Sequence, residues 1–149
     1  MLQYLNSKLI TYIEGNPTKK EALKMLVELI KKNSDALNDE NNFYENILAR
    51  EELGSTGIGQ GIAIPHARSE KIKKLTVAIG LLKNGVDFNS LDGEKVKLII
   101  LVGSPKGQNR EYLSLVSDLM RTFRNEKLRE NIICTNNYQE LLEAIAELK

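Results

Sequence analysis

A single histidine, His66, closes a run that holds four of the chain's ten glycines, Gly54, Gly57, Gly59 and Gly61. Arginines flank the run: Arg50 precedes it and Arg68 lies just past the histidine. Glycines let a backbone take positive φ angles and come close to a ligand, at an entropic cost that a plain linker need not carry. Ile62-Ala63-Ile64 reads as a short buried strand stopped by Pro65, which cannot donate to a sheet ladder. His66 then sits at a strand end beside a loop with free backbone N–H groups, and such loops bind anions because their dipoles converge. An imidazole in that setting points to a histidine that accepts a phosphoryl group.

That chemistry needs a nucleophile that is neutral near pH 7, which imidazole is. It also needs N–H donors and a cation for the charge spread over the phosphoryl oxygens, with no metal strictly required. Arg50 can grip such oxygens through two N–H groups at once, which lysine cannot. Ser55 and Thr56 offer hydroxyls and N–H groups. Each residue also has a plainer reading. A lone histidine is more often structural, and a cation at a helix C-terminus is favoured by the helix dipole whatever else it does. Ser55 and Thr56 are ordinary turn residues, and Arg68 reads equally well as surface charge. Ile58, an apolar residue among glycines, is open to tucking inward or to docking a partner protein. Glu51-Glu52 reads as a solvated helix edge, and Cys134, among Ile132, Ile133 and Thr135, as core rather than nucleophile.

Other site types fail on context. Gly54-x-x-x-x-Gly59 is followed by Gln60 rather than lysine, so it is no Walker phosphate loop. A helix, not a strand, precedes the glycines, which argues against a dinucleotide fingerprint. One histidine and one distant cysteine cannot make a standard zinc set.

The pattern Arg50-Glu51-x-x-Gly54-Ser55-Thr56-Gly57-Ile58-Gly59-x-Gly61-Ile62-Ala63-Ile64-Pro65-His66 resembles the active-site signature of the fructose/mannitol-type enzyme IIA domain. That domain belongs to the bacterial phosphoenolpyruvate-dependent sugar phosphotransferase system (PTS). Val86-Asp87-Phe88, Leu91-Asp92-Gly93, the apolar run from Val96 to Val102 and the Leu128-Arg129-Glu130 stretch resemble it in order and spacing, so nearly the whole chain is covered. The resemblance implies a single mixed sheet sandwiched between helices, spanning one domain over residues 1–149. It implies His66 as phosphoacceptor with Arg50 as active-site arginine, and Ser55, Thr56 and Gly57 around the phosphoryl. It implies no cofactor. It also implies two partners: the phosphocarrier HPr, which would supply the phosphoryl group, and an enzyme IIB cysteine, which would receive it during sugar uptake. The alternative is a regulatory, nitrogen-regulation-type relative whose phosphorylation state is read by a partner. One position departs from the family. A second histidine generally stands just inside the helix after the long strand, in a His-Leu pair, and here Tyr112-Leu113 stands there. A phenol can donate one hydrogen bond but brings no positive charge near neutral pH.

The rest of the chain must position these groups. With 149 residues, it is long enough to bury a substantial core. Lys plus Arg number 21 against 20 for Asp plus Glu, so no net field argues for nucleic acid or a membrane surface. One cysteine excludes an internal disulfide framework and fits a reducing cytoplasm. No apolar run approaches the roughly 20 residues of a membrane span, and Met1–Asn6 lacks a signal peptide's pattern; a cytoplasmic protein is expected.

Leu5–Tyr12 reads as a first strand. Thr18-x-x-Glu21 is a capping box ahead of a helix, about Lys19–Lys32, burying Leu23, Leu26, Val27 and Ile30. A second helix, about Glu40–Glu52, buries Phe43, Ile47 and Leu48. Leu75–Leu82 and Val96–Val102 read as strands, with turns at Lys83-Asn84-Gly85 and Leu91-Asp92-Gly93. A helix over Arg110–Phe123 is expected to bury Leu113, Val116, Met120 and Phe123. A short one follows over Glu126–Ile132, and the last runs over Tyr138–Leu148 behind an Asn137/Glu140 cap pair. Strands interleaved with helices give an α/β sandwich.

Overall fold

The computed structural model describes residues 2–148. Its centre is a six-stranded mixed sheet: β1 (Ile10–Ile13), β2 (Gly57–Gly59), β3 (Ile62–Ala63), β4 (His66–Arg68), β5 (Thr76–Val86) and β6 (Val96–Ser104). The spatial order is β1-β5-β6-β3-β2, and β4 pairs with β6 beyond the end of β3. β5 and β6 are antiparallel, whereas β1 runs parallel to β5, and β3 and β4 run parallel to β6.

The two long strands alternate between two cores. Val77, Ile79, Leu81, Leu98, Ile100 and Val102 pack under α3 (Asn109–Arg124), α4 (Glu126–Ile133) and α5 (Tyr138–Ala146). Ala78, Leu82, Ile99 and Leu101 pack under α1 (Lys19–Asn33) and α2 (Glu40–Leu53). Both faces are covered, so these strands are apolar along both edges of the alternation. The sheet sandwiched between helices is the architecture that the sequence led us to expect.

The helix starts follow their cap chemistry. Thr18 and Glu21 form the reciprocal capping box of α1, with bonds of 2.9 and 3.1 Å. Asp39 accepts from Asn42 N at the start of α2, and Asn137 accepts from Glu140 N at the start of α5. A capping bond of this kind is worth about 1 kcal/mol.

Several expectations require correction. The stretch Leu5–Tyr12 does not run as a strand throughout. Asn6 accepts from Lys8 N and closes a 3-10 turn at Ser7–Leu9, so β1 starts only at Ile10. Lys83-Asn84-Gly85 is not a turn: β5 continues through it, with a bulge against β6 between Leu81 and Val86. The buried stripe of α3 is Tyr112, Leu115, Leu119 and Phe123, with Val116 and Met120 half-buried beside it. Leu113 lies 63% exposed, one residue off that stripe, because the helix turns Tyr112 rather than Leu113 towards the sheet. Cys134 is exposed, since the chain leaves α4 there and Ile132 takes the inward position.

Candidate functional site

The glycine run is built as a hairpin, not an open loop. β2 and β3 pair antiparallel across Gln60-Gly61, both at positive φ (58° and 83°), as the hairpin-favouring type I′ turn requires. Asp92 locks the tip by accepting from Gln60 N at 2.7 Å. Gly57 is needed for close approach: a Cβ there would lie 2.1 Å from Ser90 Oγ. The N–H groups expected to stay free are therefore partly engaged. Gly57 N donates to Ser55 Oγ at 3.0 Å and Thr56 N to Glu51 Oε1 at 3.3 Å.

Past β3 the chain stays on the same edge of β6. Pro65 brings no donor, but its carbonyl accepts from Val102 N at 2.9 Å, and β4 then pairs His66 with Val102. His66 is thus the first residue of a short strand, set near the carboxyl end of β6. α2 closes on it from one face of the sheet, while α3, which begins just after β6, closes from the other. Between them lies an open cleft of about 1150 Å³ lined by His66, Arg50, Arg68, Tyr112, Lys106 and Asn109, among others.

His66 is half-buried, and its Nδ1 lies 2.7 Å from the Ile64 carbonyl oxygen. A carbonyl only accepts, so Nδ1 carries the proton and Nε2 keeps its lone pair. Burial pushes the imidazole below its ordinary pKa, and Arg50 adds to this; the Ile64 carbonyl and Glu51 push the other way. These effects favour the neutral ring in one tautomer, with Nε2 as its lone-pair nitrogen.

Arg50, in the last turn of α2, donates from Nη1 to Gly54 O at 2.7 Å and keeps its remaining N–H groups. The Tyr112 ring is tilted 57° to the imidazole at a centroid distance of 5.9 Å. Burial raises the Tyr112 pKa, so the phenol stays neutral although Arg68 and Arg50 pull it down. Arg68 lies over the Tyr112 ring at 5.2 Å and donates to Asn109 Oδ1. The cleft therefore collects one imidazole, one phenol and two guanidiniums.

The structure does not bring Ser55, Thr56 or Gly57 to the cleft wall. Ser55 Oγ donates to Phe88 O at 2.5 Å, while Thr56 and Gly57 are buried at the base of the hairpin. Ile58 is 43% exposed. The sequence reading missed Lys106 and Asn109, which topology carries to the cleft by way of the β6–α3 connection. It also misread Glu51. That side chain is 5% exposed and salt-bridged to Lys19 at 2.7 Å, not a solvated helix edge, because the 54–57 corner folds back over it.

A family profile described as "Phosphoenolpyruvate-dependent sugar phosphotransferase system, EIIA 2" matches residues 3–148. The chain belongs to this EIIA family. EIIA domains are phosphotransferase components, which supports a phosphoryl-transfer role for this chain. Among curated relatives, the chain is 36% identical over 73% of its length to the PTS system fructose-specific EIIABC component of Bacillus subtilis, of which it spans 17%. It is 30% identical over 95% of its length to the PTS system fructose-specific EIIA component of Haloferax volcanii, covering 91% of that protein. Among solved structures, the nitrogen regulatory protein IIA-Ntr from Neisseria meningitidis superposes with a TM-score of 0.84 at 30% identity. That superposition covers 96% of this chain and 97% of that one. No helix among the described residues of this EIIA chain is long and apolar enough to cross a membrane.

Proposed function

We propose that this EIIA chain is a phosphohistidine carrier that takes a phosphoryl group from phospho-HPr on His66 Nε2 and passes it to a cysteine of an enzyme IIB. The observation that carries the reading is the 2.7 Å contact between His66 Nδ1 and the Ile64 carbonyl, which leaves Nε2 as the lone-pair nitrogen beside two guanidiniums. In the first step the Nε2 lone pair attacks phosphorus, an N–P bond forms, and the N–P bond to the donor histidine breaks. In the second, an incoming thiolate attacks the same phosphorus and displaces neutral imidazole. Arg50 is the cation that meets the developing charge on the equatorial oxygens, with Arg68 over Tyr112 as a second. Tyr112 offers one neutral O–H donor where the family generally has histidine. The fusion named in the Bacillus subtilis relative, EIIABC, supports a IIB partner.

A regulatory role is the second reading. It is favoured by Tyr112, a weaker donor than an imidazolium, and by the likeness to a nitrogen regulatory IIA protein.

Incubation with phosphoenolpyruvate, enzyme I and HPr is expected to add one acid-labile, alkali-stable phosphoryl group, absent in His66→Ala. Label that persists in the variant would overturn the reading. The labelled protein is expected to discharge onto a fructose-type IIB thiol; a labelled protein that never does so would favour the regulatory reading.

A further inference from the structure

Behind the cleft lies an ion pair, with a buried carboxylate and a half-buried ammonium, that the transfer chemistry itself does not use. Lys19, the first residue of α1, reaches Glu51 in the last turn of α2; Nζ and Oε1 lie 2.7 Å apart. The ammonium also sits over the Phe88 ring, 4.4 Å from its centroid. Glu51 Oε1 accepts in addition from Thr56 N at 3.3 Å, while Oε2 is buried without a partner. Three segments thus meet on one carboxylate: the start of α1, the end of α2 and the corner that leads into the β2–β3 hairpin.

From this carboxylate a continuous set of hydrogen bonds leads to the imidazole. Thr56, held through its N–H by Glu51, accepts through its carbonyl from Ile64 N at 3.1 Å. The Ile64 carbonyl is in turn the group that fixes His66 Nδ1 at 2.7 Å. A second branch leads to the arginine. Glu51 O accepts from Gly54 N at 3.2 Å, and Gly54 O accepts from Arg50 Nη1 at 2.7 Å. The imidazole therefore takes its bearing from the Glu51 carboxylate, whereas the arginine is tied to the backbone carbonyl of residue 51, which any side chain there would leave in place.

We propose that Glu51, clamped by Lys19, is a positioning residue that sets the tautomer and direction of His66. This rests on the phosphocarrier reading for its consequence in transfer, but not for its geometry. Burying a carboxylate is costly unless it is paired and hydrogen-bonded. A corner wanted only for stability would be served as well by apolar side chains, which often replace buried ion pairs without loss. An apolar side chain cannot accept from Thr56 N, and without that acceptor the Thr56–Ile64–His66 chain has no fixed origin.

Two variants separate positioning from mere support. Glu51→Gln keeps an acceptor for Thr56 N without the charge. Lys19→Met/Glu51→Leu keeps volume but removes both charge and acceptor. The readouts are the imidazole 15N shifts of His66, the single-turnover rate of phosphorylation from phospho-HPr, and a thermal melt. The double variant is expected to melt cooperatively yet to lose the Nδ1–H tautomer for a mixture, and to be phosphorylated about a hundredfold more slowly, as an ångström-scale misplacement allows. Glu51→Gln is expected to keep the tautomer and most of the rate. A folded double variant with the native tautomer and rate overturns the proposal, as does a folded Gln variant that loses the tautomer. Should the double variant not fold, Glu51→Ala, which removes the acceptor without placing a large apolar side chain in the corner, is read by the double variant's criterion: loss of the tautomer supports the proposal and a native tautomer and rate overturn it. Wild-type protein that phospho-HPr fails to label would overturn the phosphocarrier reading only, because the 15N readout needs no transfer.

Discussion

Arg50→Lys separates charge from geometry at the site. The guanidinium carries five N–H donors in a rigid fork, and one nitrogen, Nη1, is already committed to the Gly54 carbonyl at 2.7 Å. A lysine brings its three donors at one point, so it cannot hold Gly54 O and grip two phosphoryl oxygens in the fork geometry of a guanidinium. Removing one well-placed transition-state donor costs about 2.7–4 kcal/mol, or roughly a hundred- to a thousandfold in rate. The structural cost is far smaller. One half-exposed hydrogen bond contributes about 0.5–1.5 kcal/mol, and at this chain length about 1 kcal/mol moves the melting temperature by only about 4 °C. Rapid-quench single turnovers from phospho-HPr, read beside a thermal melt, provide the assay. The expected result is a rate loss of at least a hundredfold with a melt lowered by a few degrees. An unchanged rate would refute the active-site role of Arg50, and a collapsed melt would show that its bond to Gly54 is what matters.

Three further outcomes follow from the same geometry. Because burial and Arg50 place the His66 pKa below about 6.5, the unfolded chain binds more protons than the native one as pH falls below that value. The contribution of this group to stability is therefore greatest above about pH 6.5 and declines towards acid. NMR titration of His66 should show a midpoint below 6.5, shifted upward in Arg50→Gln, and a midpoint above it would contradict the assignment. Tyr112→His is expected to speed phosphorylation, about tenfold for each 1.4 kcal/mol recovered, and Tyr112→Phe to slow it; equal single-turnover rates for all three would place residue 112 outside the site. Leu115→Ala is expected to cost about 2–5 kcal/mol in denaturant melts, whereas Leu113→Ala should cost well under 1 kcal/mol. Comparable losses at the two positions would contradict the α3 register.

What the sequence made legible follows from where its signals are local. The capping box at Thr18-Glu21 and the Asn137-Glu140 pair specify their helix starts within four residues, and both stand as read. The long apolar runs specify the two central strands because nothing but a buried sheet suits them. Local signals fail where a distant partner decides the outcome. Lys83-Asn84-Gly85 carries turn chemistry, yet pairing across to Val96 holds it in a bulged strand. Leu113 and Tyr112 differ by one position in a helical period, and the sheet beneath, not the sequence, selects which of them is buried. In the site, His66 and Arg50 stand on the motif and share the cleft. Glu51 is invisible to such reading, because a carboxylate on a helix edge is ordinarily solvated and its burial depends on Lys19, far away in sequence. The glycines also misled: their hairpin satisfies N–H groups that a loop would have left free.

The most direct test is to locate the phosphoryl group at atomic level. Phosphoprotein made with phosphoenolpyruvate, enzyme I and HPr, uniformly 15N-labelled, can be read by 31P–15N correlation of the histidine ring. One phosphorus is expected to couple to His66 Nε2, with Nδ1 still protonated against the Ile64 carbonyl. Coupling to Nδ1, or phosphate on any other side chain, would contradict it.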